Sequence, residues 1–97
     1  MSPKSLPVND YEIILREGGT IIDVRESDEI ATGTLPGAVH IPLGQIPSRT
    51  SEIDPTRPVA LLCRSGARSG QAAVYLAQSG FQEVINLDGG MLAYSGG

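Results

Sequence analysis

Four short apolar runs constrain this chain more than any other feature: Thr20–Val24 (TIIDV), Ala38–Leu43 (AVHIPL), Val59–Cys63 (VALLC) and Glu83–Leu87 (EVINL). They are continuous rather than alternating, the pattern of strands covered on both faces. Helix-like segments lie between them. Val8–Glu17 opens on Asn9, a good N-cap, and stops at Gly18–Gly19. Gly70–Ser79 carries Ala73, Leu76 and Ala77 at helical spacing, with Ser69 placed to cap it and Gly80 to end it. Ser27–Thr32 and Leu43–Arg49 read as shorter helical turns, the second interrupted by Pro47, and residues 50–58 read as an exposed connection bracketed by Pro55 and Pro58. Strand and helix alternating in this way imply an α/β fold: a central parallel sheet with helices on both faces.

The 97 residues suit a single domain, 1–97, burying about 60–65% of its unfolded surface. With three Tyr, one Phe and no Trp, its core must come from Ile, Leu, Val and Ala. The net charge of −4 argues against a broad phosphate-binding face, so no nucleic-acid partner is expected. Arg64 and Arg68 nevertheless lie within five positions of Cys63. A local positive spot on an acidic body suits a small anion better than a polyanion.

Cys63 is the only cysteine, so an internal disulfide and a paired-cysteine metal site are both excluded, and a lone thiol fits a reducing compartment. MSPKSLPVNDY lacks the apolar stretch of a signal peptide, and no run approaches the ~18–20 residues of a spanning helix. A cytoplasmic protein without membrane contact, metal or cofactor is expected.

Cys63 ends an apolar strand, and a helix is expected to begin near Ser69. Ligands of open parallel sheets gather at the carboxyl ends of strands. The intervening Arg64-Ser65-Gly66-Ala67-Arg68 is short, and Gly66 opens backbone angles closed to other residues. Successive amides can then form a concave nest for an anion, reinforced by the helix N-terminus. Those groups lower a thiol below its free value of ~8.5 and stabilise charge on the atom it attacks. The simpler alternative is a core cysteine acting as a small apolar side chain. Two adjacent guanidinium groups favour the site, because they are seldom buried without partners.

Other polar residues have structural readings. Asp23, Arg25 and Glu26 fit a strand-end carboxylate, its guanidinium partner and a helix-capping charge better than an acid/base cluster. His40, inside an apolar run, fits a packing residue with one satisfied nitrogen. Asp88-Gly89-Gly90 reads as a turn that opens a last helix, since neither G-x-G-x-x-G nor G-x-x-x-x-G-K-[ST] occurs.

C-R-S-G-A-R-S at 63–69 resembles the active-site loop of the rhodanese family of sulfurtransferases. IIDVRESDE at 21–29, GTLPGAVHIPL at 33–43 and INLDGGMLAY at 85–94 resemble three further family segments, in the same order. Thr34 stands where the family often has His, and Tyr94 where it usually has Trp. The resemblance implies five parallel strands with helices on both sides. It also implies a reaction in which a thiolate takes the outer sulfur of thiosulfate, releases sulfite and passes the persulfide sulfur to cyanide or a thiol.

Carried over by position, Cys63 is the nucleophile, and the backbone of Arg64, Ser65, Gly66, Ala67, Arg68 and Ser69 cradles the sulfur anion. Arg64 and Arg68 are candidates for holding thiosulfate or for fixing the loop. In the second role Asp23 is the candidate partner of Arg68, with Arg25 as a further loop support. Four residues separate Cys63 from Arg68, as in sulfurtransferases, whereas related dual-specificity phosphatases have a loop one residue longer. Two other readings stay open: a relay module whose acceptor is a protein, and a phosphatase.

Overall fold

Val59, Ala60, Leu61 and Leu62 are all fully buried, as a strand covered on both sides requires. The computed structural model describes residues 2–95; Met1, Gly96 and Gly97, the ends of the expected 1–97 domain, lie outside the described residues. The strands are β1 (Lys4–Pro7), β2 (Thr20–Asp23), β3 (Val39–His40), β4 (Val59–Leu62) and β5 (Val84–Asp88), joined in one parallel sheet of order β1-β5-β4-β2-β3. The helices are α1 (Glu12–Arg16), α2 (Ser27–Ile30), α3 (Ala67–Gln78) and α4 (Gly90–Ala93).

Alternation along the strands divides the core in two. Ile22, Val59, Leu61 and Val84 pack with Ala72, Ala73 and Leu76 of α3 on one face. Ile21, Ala60, Leu62, Ile85 and Leu87 pack with Val8 and Ile14 on the other. Each buried Leu or Ile contributes about 1.5–3 kcal/mol by leaving water. Residue parity also positions the chemistry. Cys63 continues the 59, 61, 63 series and so lies on the α3 face, at the carboxyl end of the central strand.

Several local expectations are corrected. The segment from Val8 is not one helix: a 3-10 turn at Val8–Asp10 precedes α1, and Asn9 caps neither. Its amide instead donates to Ala93 O and accepts from Ser95 N, each at 3.0 Å, tying the start of the chain to its end. Past Pro42, only a 3-10 turn at Leu43–Gln45 forms, because Pro47 removes the amide that a longer helix would need. The connection 50–58 is not wholly exposed: it contains a 3-10 turn at Thr50–Glu52 and buries Ile53. β1 has two polar residues among four and so forms no apolar run. It is recruited by its ladder to β5.

Candidate active site

Helix α3 starts at Ala67, three residues earlier than a cap at Ser69 would set it, because Gly66 adopts φ +104° and serves as the residue before the helix. The strand-to-helix turn is therefore tight, and it folds around the sulfur. Cys63 is fully buried, while Arg64, Ser65 and Ala67 are exposed above it. Gly66 N–H donates to Cys63 Sγ at 3.1 Å, and Ser69 Oγ lies 3.3 Å from it. Burial is the strongest single influence on the thiol and pushes it up. The Ser69 hydroxyl and the N–H groups of Ser69, Gly66 and Ser65 together outweigh burial, so Cys63 ionises below its usual range. This sets the residue apart from an inert core cysteine.

The peptide hydrogens point inward because the carbonyls are held outward. Met91 N–H donates to Cys63 O at 2.9 Å, and Leu92 N–H donates to Arg64 O at 3.0 Å. The N–H of a trans peptide points opposite to its C=O, so anchoring Arg64 O directs Ser65 N–H towards the sulfur. The first amides of α4, which need partners in any case, supply both anchors. Gly90 makes this approach possible. Its φ is +56°, and a Cβ there would lie against the carbonyl oxygens of Cys63 and Arg64, the latter at 2.5 Å. The Gly89–Gly90 turn does open the last helix, with Gly89 as N-cap. It is also a wall of the cysteine loop.

The arginines separate. Arg68 makes a two-pronged pair with Glu29 of α2, at 2.7 and 2.8 Å, and not with Asp23. Asp23 is in register with Leu62 and so faces away from α3. There it binds Arg25 in a buried pair (2.8 Å), and Thr34 Oγ1 donates to it at 2.7 Å. Arg25 also donates to Gly33 O at 2.7 Å, and its own carbonyl accepts His40 Nε2–H at 2.6 Å. Asp23 and Arg25 thus secure the segment that carries Glu29, and reach the cysteine loop only through it. Glu29 Oε1 also accepts Glu26 N–H at 3.1 Å, which makes Glu29 both a helix cap and the brace of Arg68. The Arg68 guanidinium and this amide hold the Glu29 carboxyl at about 2. Arg64 is exposed, and the ion pairs among the described residues leave it free.

Sequence reasoning missed Asn86. It is in register with Leu61 on β5 and so faces the cysteine loop. Its Nδ2 donates to Gly66 O at 3.2 Å, and its Oδ1 accepts from Ser69 Oγ at 2.6 Å. A polar residue at a core-facing position of an otherwise apolar strand was the available signal.

The description "Rhodanese-like domain" fits residues 8–96. A sulfurtransferase of Allochromatium vinosum is 48% identical over 75 residues, 77% of this chain and 70% of that protein. The thiosulfate sulfurtransferase GlpE of Stutzerimonas stutzeri is 32% identical over 87 residues, 90% of this chain and 80% of that protein. Among solved structures, a rhodanese-like domain protein from Staphylococcus aureus superimposes with a TM-score of 0.85 at 31% identity, covering 95% of this chain and 91% of that one. The likeness runs through sheet, loop and closing turn alike, and the chain belongs to the rhodanese-like domain family.

Proposed function

We propose that this chain is a sulfurtransferase whose Cys63 thiolate takes the outer sulfur of thiosulfate and carries it as a persulfide to cyanide or a thiol. The reading is carried by the convergence of Gly66 N–H and Ser69 Oγ on a sulfur that ionises below its usual range. The thiolate attacks the outer sulfur, forming an S–S bond to Sγ. The S–S bond of thiosulfate breaks, and its electron pair leaves with sulfite. The persulfide anion keeps one negative charge, as the thiolate had. Cyanide then attacks the outer sulfur, and the pair returns to Sγ as thiocyanate departs.

The nest amides stabilise charge on Sγ before transfer and on the outer sulfur after it. Arg64, unpaired at the rim, is the cation available to the sulfonate oxygens. Arg68 is committed to Glu29 and braces the loop. The four-residue spacing between Cys63 and Arg68 favours a ring sized for sulfur over one sized for a phosphate tetrahedron. A thiol kept reactive in this way suits a reducing compartment such as the cytoplasm.

The test is intact mass after incubation with thiosulfate, beside Cys63→Ser. A gain of one sulfur in the parent alone, discharged by cyanide as thiocyanate, is expected. No gain in either protein, with hydrolysis of p-nitrophenyl phosphate, would transfer the reading to a phosphatase.

One observation favours a protein as the physiological acceptor. Leu92 is 64% exposed and its amide is bonded to Arg64 O, so an apolar side chain stands open to solvent at the rim. A relay role predicts slow discharge to small thiols and fast discharge to one protein partner.

A further inference from the structure

Ser69 Oγ stands between two acceptors with one hydrogen to give: Asn86 Oδ1 at 2.6 Å and Cys63 Sγ at 3.3 Å. The orientation of the Asn86 amide follows from its other contact. Gly66 O can only accept, so the group facing it is Nδ2 and the group facing Ser69 is Oδ1. Ser69 is fully buried, so no solvent competes for its hydrogen. We propose that Asn86 is a positioning residue that draws the Ser69 hydroxyl hydrogen away from Cys63 Sγ in the thiol form and yields it when charge develops on the sulfur.

In the thiol form, Ser69 donates to Asn86 and its lone pairs accept the S–H of Cys63. In the thiolate form the hydrogen turns to the anion, since bonds to an ionised acceptor are about twice as strong as neutral ones. Asn86 Oδ1 then loses its donor. Resting on the proposed persulfide chemistry, the switch has a direction. Once sulfur is transferred, charge moves to the outer atom, Sγ becomes a weak acceptor, and the hydrogen returns to Asn86. Asn86 thus favours the two states in which Sγ is uncharged, the thiol and the loaded persulfide, over the bare thiolate between them.

The experiment measures Cys63 ionisation from the pH dependence of iodoacetamide alkylation, in Asn86→Ala and Asn86→Val, each with and without Ser69→Ala. Two replacements are used so that a misfolded one, identified by circular dichroism, does not decide the result. Removing the competing acceptor is expected to lower the Cys63 pKa by about 0.5–1, the worth of one neutral hydrogen bond, and to do so only when Ser69 is present.

An Asn86 that merely braced Gly66 would act oppositely. Its loss would loosen the amide on the sulfur and raise the pKa, in the Ser69→Ala background as well. A rise, no change, or a fall that persists without Ser69 overturns the proposal. The charged groups on the surrounding elements are Arg64 and Arg68 on the loop and α3, Glu29 on α2, Asp23 at the end of β2 with its partner Arg25, and Asp88 on β5, and the substitutions leave them in place. Alkylation needs no sulfur donor. Failure of the parent to gain sulfur from thiosulfate would therefore count against the proposed function, while the titration would still judge Asn86.

Discussion

Gly90→Ala against Gly89→Ala isolates the contact that shapes the cysteine loop. Both glycines have positive φ, +56° and +83°, so both alanines bear a left-handed backbone cost of about 1–2 kcal/mol. Their surroundings differ. The added methyl at Gly89 meets the Ala93 side chain at 2.6 Å, within the short helix α4. The methyl at Gly90 meets the backbone carbonyls of Cys63 and Arg64 themselves, whereas the Gly89 contact is relieved by shifting Ala93 at the far end of α4, at the expense of the single bond from Ala93 N–H to Gly89 O. Relieving that overlap breaks the bonds from Met91 N–H and Leu92 N–H to those carbonyls, each worth about 0.5–1.5 kcal/mol. Gly90→Ala should therefore cost about 2–5 kcal/mol in urea unfolding, and Gly89→Ala a smaller amount.

The functional contrast is sharper than the stability contrast. With Arg64 O released, the Ser65 amide loses its direction and Cys63 returns towards a free thiol value of ~8.5. Alkylation at pH 7 should slow in Gly90→Ala and hold near the parent rate in Gly89→Ala. Equal titration curves for the two variants would refute the claim that α4 orients the loop amides.

The other substitutions separate brace from binder. Arg64→Ala should raise KM for thiosulfate several-fold at unchanged melting temperature, whereas Arg68→Ala should lower stability by about 1 kcal/mol, as expected for a partly exposed pair; steady-state kinetics and thermal melts check both. The Glu29 pair has a pH signature. Its folded pKa of about 2 lies below the unfolded value near ~4.3, so its stabilisation is complete above the latter and lost as pH falls towards 2. The stability difference between the parent and Glu29→Gln should shrink over that window in acid urea melts, and a difference independent of pH would mean the pair is not ionic. Arg25→Met should cost about 3–5 kcal/mol by stranding the buried Asp23 carboxylate, a loss that Asp23→Asn in the same chain should partly restore in urea melts.

The fold was legible where burial dictates residue type. β4 is apolar at every position because both of its faces are covered, and its sequence says so. β1 was not legible in this way, since a half-exposed edge strand needs no apolar run. At the site, Cys63 and the nest could be read because a lone thiol, a glycine and a helix start lie within seven residues. The partners of that loop could not. Glu29, Asn86 and Gly90 come from three separate elements, and only register and side-chain parity bring them to one end of the sheet. Asp23, at the end of its strand, is a plausible partner of Arg68 by sequence; its parity puts it on the opposite face.

Positive charge at Cys63 is smaller than the count of arginines suggests. Arg25 faces Asp23 and Arg68 faces Glu29, which leaves Arg64 as the uncommitted cation of the three. The attraction on an incoming anion therefore comes mainly from peptide hydrogens of the loop and the first turn of α3, which are partial charges fixed in direction. Such a field is strong within hydrogen-bond distance and fades within about one helical turn. An acidic body, at net −4, repels an extended polyanion beyond that range. A small anion that enters the loop exchanges its water for amides already in position, and for it the overall charge matters little. Selection by size and depth rather than by net charge would let an acidic chain serve the dianionic sulfur donor proposed above. It also explains why half-buried Asn86 and glycine Gly90 matter more here than another surface arginine would.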